Sequence, residues 1–241
     1  MSDASPKPPA PKKEVPHHSG HRDRLRARFV KSGAGACEDY ELLELLLFAA
    51  IPRRDVKPLA KTLLKQFGSI AAVLAADMQD LAKVKGLSDN SAALVKLVHA
   101  LTQRALIEDV EQKPILSSWK KLLDYCHVAM AHEKREQFRV LFLNRKNQLI
   151  ADEVQQVGTV DHAPVYPREI VKRALELGAT ALILVHNHPS GDPSPSDSDI
   201  AMTEEIIRAA RTLDVVVHDH LIIAKSGHAS FKALGLLDFV R

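Results

Sequence analysis

The sequence predicts an α/β sandwich around one sheet, preceded by a small all-helical unit. Two observations predict it. From Tyr40 to Leu106 the apolar residues recur at helical spacing with tight turns between the runs, whereas beyond residue 118 helical runs alternate with short apolar runs rich in β-branched residues. A third feature, a strand-like run that ends in His186-Asn187-His188-Pro189 and leads to Asp199, supplies the candidate chemistry.

The 241 residues suffice for one large or two modest domains, and 46 % hydrophobic with 26 % charged residues is ordinary for a soluble globular chain. The formal net charge of +3 permits a nucleic-acid partner without requiring one. Cys37 and Cys126 lie far apart and form no Cys-x-x-Cys spacing, so neither a disulfide framework nor a cysteine metal site is indicated. No run approaches about 20 apolar residues, and the amino terminus lacks the apolar core of a signal peptide. The expectation is a cytoplasmic protein with no membrane partner.

Residues 1–20 are rich in proline and lysine and read as a disordered tail. The helical unit is expected over 21–108. It starts with five cations between His21 and Lys31, a segment that either grips phosphate or forms the solvated face of a helix with Leu25 and Phe29 inward. A very apolar helix from Leu42 to Leu47 ends at Pro52. Further helices span Val56 to Phe67, start at Ser69-Ile70, and run from Met78 to Val84; the last carries Ala93, Leu94, Leu97, Val98 and Leu101. The turn Lys83-Val84-Lys85-Gly86-Leu87-Ser88 resembles the hairpin of helix-hairpin-helix modules, in which glycine lets backbone N–H groups approach a DNA phosphate. Lys83, Lys85 and Gly86 are the candidate nucleic-acid contacts; Ser88 stands where such hairpins carry a second glycine, and a plain helix junction is the competing reading.

Residues 109–117, with Pro114 and Ser117-Ser118, read as a linker. The α/β unit follows over 118–241. Trp119 to Met130 is helical; Phe138–Leu143 and Gln148–Ala151 flank Asn144-Arg145-Lys146-Asn147 as a hairpin, with Val154, Val157 and Val160 continuing toward Pro164. Pro167 opens a helix that Gly178 closes. Thr180–Val185 is a strand buried on both faces, and Val215–Ile223 is another, followed by a Gly227 turn. Between them Ser196-x-x-Asp199 opens a helix with Ile200, Ile206, Ile207, Ala210 and Leu213 inward.

Strand alternation points His186 and His188 to one side and Asn187 away. Asp199, in a first helical turn, can face them. Two imidazoles and a carboxylate match the three-ligand, open-position arrangement of catalytic zinc, so His186, His188 and Asp199 are the candidate metal ligands for one Zn2+ per chain. Ser196 and Asp199 also form a capping box, a role that can coexist with metal binding. His162, His218 and His220 are further histidines; His218-Asp219-His220 repeats the His-x-His alternation, leaving a second metal open beside structural histidines. Asp192, in Gly-Asp-Pro, reads as a turn residue.

His186-x-His188-Pro189, six residues, Ser196, two residues and Asp199 resemble the signature of JAB/MPN (JAMM-motif) metalloprotease domains. Together with Val171-Lys172-Arg173-Ala174 and Asp219-His220-Leu221-Ile222-Ile223, the stretch is similar more narrowly to the bacterial RadC family. The resemblance implies a JAB/MPN-type mixed sheet flanked by helices, zinc on His186, His188 and Asp199, Ser196 beside the reacting oxyanion, and an upstream glutamate acting on the attacking water. Glu136 is the candidate glutamate. Most relatives carry Ser or Thr where Asn187 stands.

The expected activity is zinc-dependent hydrolysis of amide or isopeptide bonds in a protein or peptide substrate. The alternative is a DNA-binding, repair-associated factor whose metal site is structural, latent or used on phosphodiesters. The two combine if the helical unit delivers the hydrolase to DNA-bound proteins.

Overall fold

The computed structural model describes residues 20–111, 114–158 and 165–237. The tail expected over 1–20, apart from Gly20, and Val160, His162 and Pro164 lie outside them.

Six helices build the first half: α1 (His21–Ser32), α2 (Asp39–Ala50), α3 (Lys57–Phe67), α4 (Ile70–Ala75), α5 (Met78–Ala82) and α6 (Asp89–Glu111). Local chemistry sets their ends. Ser69 caps α4 by accepting the Ala72 N–H at 3.1 Å, and Gly68 ends α3 at a φ of 94°, a conformation costly for any residue with a Cβ. Leu47, Val56, Leu63, Val73, Leu81 and Val95 join Leu25 in one core. Phe29, expected inward beside Leu25, is 40 % exposed, and Leu25 is the one fully docked apolar side chain of α1. The cations of α1 largely serve that docking: Arg22 donates to the Ile51 carbonyl at 2.6 Å with its guanidinium 4.5 Å from the Phe48 ring centre, and Arg28 pairs with Glu41 at 2.5 Å. On α6 the buried stripe is Ala92, Val95 and His99, while Leu97 and Leu101 face outward.

The linker expected over 109–117 is not a free connector. Helix α6 continues to Glu111, and Val110 and Ile115, both fully buried, belong to the core of the second half. Polar neighbours such as Asp109 and Glu111 masked this at sequence level, because one apolar residue per turn was enough to anchor the segment.

The second half comprises α7 (Trp119–Met130), β1 (Glu136–Leu143), β2 (Leu149–Gly158), α8 (Pro167–Leu177), β3 (Ala181–Asn187), α9 (Asp197–Arg211), β4 (Val216–Ala224) and β5 (Gly227–Ser230). The strand order is β2-β1-β3-β4-β5, with β3 and β4 parallel and the other neighbours antiparallel. Alternation sorts each strand's side chains between two layers. Leu141, Leu143, Ile183 and Val185 pack with α7 and the end of α6. Phe138, Val140, Phe142, Leu182 and Leu184 pack with α8 and α9. The inward stripe of α9 is Asp199, Thr203, Ile206 and Ala210; Leu213, expected among them, lies beyond the helix and is 46 % exposed. No helix among the described residues is long and apolar enough to cross a membrane.

Candidate metal centre

The parity that sends Leu182 and Leu184 toward α9 sends His186 there too, at the end of β3, and the same parity on β1 sends Glu136 with Phe138. Proline breaks keep the intervening loop irregular until Ser196 starts α9, which brings Asp199 over the strand ends. Ligand atoms of Glu136, His186, His188 and Asp199 all lie within 4.8 Å of one another.

The Nε2 atoms of His186 and His188 are 2.9 Å apart, and the Asp199 carboxylate oxygens stand 3.3 Å from His186 Nε2 and 3.4 Å from His188 Nε2. A four-coordinate zinc with arms of about 2.0–2.1 Å has ligand–ligand edges of about 3.3–3.4 Å, which each nitrogen–oxygen spacing matches, Oδ1 serving His186 and Oδ2 serving His188, while the two nitrogens stand slightly close. His188 donates Nδ1–H to the Asp192 carbonyl at 2.8 Å, which leaves its Nε2 lone pair on the site. That carbonyl is positioned by a turn in which Asp192 Oδ1 accepts the Ser194 N–H at 2.9 Å, the turn role read for Asp192.

Asp199 is only 6 % exposed. Burial works to raise its pKa, but hydrogen bonding to His186 and His188, the charge of His186 and the Ser196 hydroxyl override it, holding the carboxyl far below the usual range. His188 shifts the opposite way, upward, mainly through Asp199 and against its partial burial. The capping box is present in full: Ser196 Oγ accepts the Asp199 N–H at 3.2 Å, and Asp199 Oδ2 accepts the Ser196 N–H at 2.8 Å. Ser196 Oγ–H also donates to Oδ2 at 2.6 Å, so its hydroxyl rests on a candidate ligand and beside the site.

Asn187, fully buried, turns the other way. Its Oδ1 accepts the Gln137 N–H at 2.8 Å, and its Nδ2 donates to the carbonyls of Arg135 at 3.2 Å and Glu133 at 3.4 Å. Residues 133–137, which carry Glu136, are thereby tied to the His-x-His segment. Lys134 in the same stretch pairs with Asp80 and, at 3.7 Å, Asp77 of the helical unit.

His220 stands 2.8 Å from His186, whereas His218 bonds Asn147 Oδ1 at 2.7 Å. A bulge separates them: Leu182 pairs with Val217 but Ile183 with Asp219, so His218 is the extra residue and the two histidines do not converge. Among the described residues, no second group of three or more potential metal ligands accompanies the first. Thr203, which the sequence did not single out, stands 2.6 Å from His220 Nδ1; its spacing of four from Asp199 was the available signal.

The turn with Lys83, Lys85 and Gly86 lies far along the chain, between α5 and α6. Both lysines are exposed, and Lys83 pairs with Asp80 at 2.8 Å. Gly86 has a φ of 95°, its carbonyl accepts from Arg54, and a Cβ there would meet that guanidinium at 3.3 Å. Ser88 Oγ accepts the Ser91 N–H at 3.3 Å and so occupies one of the N–H groups at the start of α6.

The model of the RadC-like JAB domain family matches residues 116–236, half of the chain. The chain belongs to the RadC family. A second family model, described as UPF0758 N-terminal, matches residues 17–93 and covers most of the helical unit. The mixed five-stranded sheet with its flanking helices is the JAB/MPN fold, and the RadC match spans α7 to the end of β5 together with the whole His/Asp/Glu cluster.

Proposed function

We propose that this RadC-family chain is a zinc-dependent metallopeptidase that hydrolyses amide or isopeptide bonds of a protein or peptide substrate in the cytoplasm. The observation that carries the proposal is the convergence of Glu136, His186, His188 and Asp199 at one point between the strand ends and α9. His186, His188 and Asp199 would hold one Zn2+, and when bound such an ion polarises a carbonyl and makes water more acidic. Magnesium, which prefers all-oxygen sites, is disfavoured by the paired imidazoles, and with it most phosphodiester chemistry.

The protein's own groups then divide the work. Glu136 takes a proton from the attacking water and returns it to the leaving nitrogen. The Ser196 hydroxyl swings from Asp199 to donate to the oxyanion of the tetrahedral intermediate. Asn187 holds the Glu136 segment in register, and Asp199, anchored by the helix start, keeps its carboxylate on the site.

The test is cleavage of a mixed peptide library by the full chain loaded with zinc. Wild type is expected to cleave and Glu136→Gln to lose at least about 100-fold while keeping its metal. Zinc-loaded wild type that cleaves nothing across peptide and isopeptide libraries contradicts the proposal.

A nucleic-acid role for the helical unit rests on a separate observation, the exposed Lys83 and Lys85 beside Gly86 with Arg54 lodged against it. It requires a salt-dependent DNA affinity that Lys83→Ala with Lys85→Ala weakens, and it would bring the peptidase to DNA-associated proteins.

A further inference from the structure

The buried groups behind the candidate ligands form a directed chain. His220 is fully buried, with Phe231 stacked on it at 4.6 Å between ring centres and Phe138 edge-on at 5.7 Å. Its Nε2 lies 2.8 Å from His186 Nδ1, and its Nδ1 lies 2.6 Å from the Thr203 hydroxyl. Thr203, also buried, donates that hydroxyl to the backbone carbonyl of Asp199 at 2.6 Å.

Proton parity runs through this chain from either end to the same result. Starting at the helix, the Asp199 carbonyl can only accept, so Thr203 spends its single proton there and its oxygen must accept from His220. That places the His220 proton on Nδ1, leaves Nε2 as an acceptor, and requires His186 to donate from Nδ1. Starting at the metal centre, a lone pair on His186 Nε2 requires the proton on Nδ1, and every later bond follows in reverse. A metal-ligating histidine ordinarily passes its second N–H to a carboxylate, carbonyl or water. Here it passes through an imidazole and a hydroxyl to the main chain of another candidate ligand.

We propose that Thr203 and His220 are positioning residues that lock His186 in the tautomer presenting its Nε2 lone pair, and couple its orientation to Asp199 through that residue's own carbonyl. The inference rests on the metal-centre reading above. Thr203→Val keeps the shape of the side chain but removes both hydrogen bonds, freeing the His220 ring to adopt the other tautomer. Thr203→Ser restores the hydroxyl.

Two measurements on the full chain test it. Zinc affinity is read by competition with a chromophoric chelator, and the tautomers of His186 and His220 by long-range 1H–15N NMR with and without zinc. Thr203→Val and His220→Gln are expected to weaken zinc binding by about 10–100-fold, with Thr203→Ser close to wild type. His220 in the wild type is expected to carry its proton on Nδ1 even before metal is added. A folded Thr203→Val that binds zinc as tightly as wild type, or a His220 protonated on Nε2, overturns the relay while leaving the metal centre standing. Wild type that binds no zinc overturns both.

Discussion

The side-chain oxygen of Asn187 accepts the backbone N–H of Gln137 at 2.8 Å, across the junction between the end of β3 and the start of β1. Both candidate histidines flank this residue in sequence, and Glu136 precedes its partner, so one buried amide sets the spacing between the metal donors and the proposed base. Asn187→Ala leaves the half-buried Gln137 N–H without this partner and is expected to cost about 1–3 kcal/mol in chemical denaturation. Because its side chain faces away from the donors, zinc content should stay at the wild-type level. Loss of zinc along with stability would show that Asn187 acts on the ligands and not on the Glu136 segment.

On the α7 side of the sheet Asp152 accepts from Arg139 at 2.6 Å and from the Tyr125 hydroxyl, with side chains of Arg139 and Asp152 only 15 % and 10 % exposed. Removing one member of such a pair strands the other charge. Asp152→Ala should therefore destabilise the chain by about 3–5 kcal/mol in urea, whereas replacing the pair together with apolar residues should cost far less. Equal losses for the single and double replacements would contradict this.

The continuation of α6 into the second core makes a prediction about where the chain can be cut. Starting at residue 118 removes Val110 and Ile115, each worth about 1.5–3 kcal/mol of burial. A chain beginning near residue 104 should unfold at a clearly higher temperature than one beginning at 118, although both contain all five strands. Identical melting temperatures would return the segment to the status of a linker.

Burial pushes the Cys126 thiol up to about 12, while in the unfolded chain it ionises near the ordinary value of about 8.5. The folded value is the higher one, so the stabilisation is complete below the unfolded value and is lost as pH rises from there through about 12. Between about pH 8 and pH 10.5 the wild type should lose more stability than Cys126→Ala. At pH 8, a thiol reagent should modify the half-buried Cys37 in the native chain and reach Cys126 only on unfolding.

Much of the site was legible from local spacing. The i, i+2 parity of His186 and His188, the Ser196-x-x-Asp199 cap and the Pro167 to Gly178 helix each depend on neighbours in sequence, and the structure holds all three. What was not legible depends on pairing across the fold. The bulge that turns His218 away from His220 exists only because β4 lies beside β3. The Thr203–His220 bond joins residues 17 apart that meet only when α9 packs on the sheet. Helix α6 outran its expected end because its anchors, Val110 and Ile115, find partners only in a core formed by later residues. Phe29 and Leu213 erred in the opposite direction: apolar and correctly spaced, they sit past the reach of the surface their helices cover.

The central claim is the metal centre, and metal content tests it most directly. The purified full chain, loaded with zinc and freed of excess, should hold about one zinc per chain by elemental analysis, and His186→Ala and Asp199→Ala, folded by circular dichroism, should each hold almost none. Wild type without zinc, or variants that retain it at the wild-type level, would contradict the account.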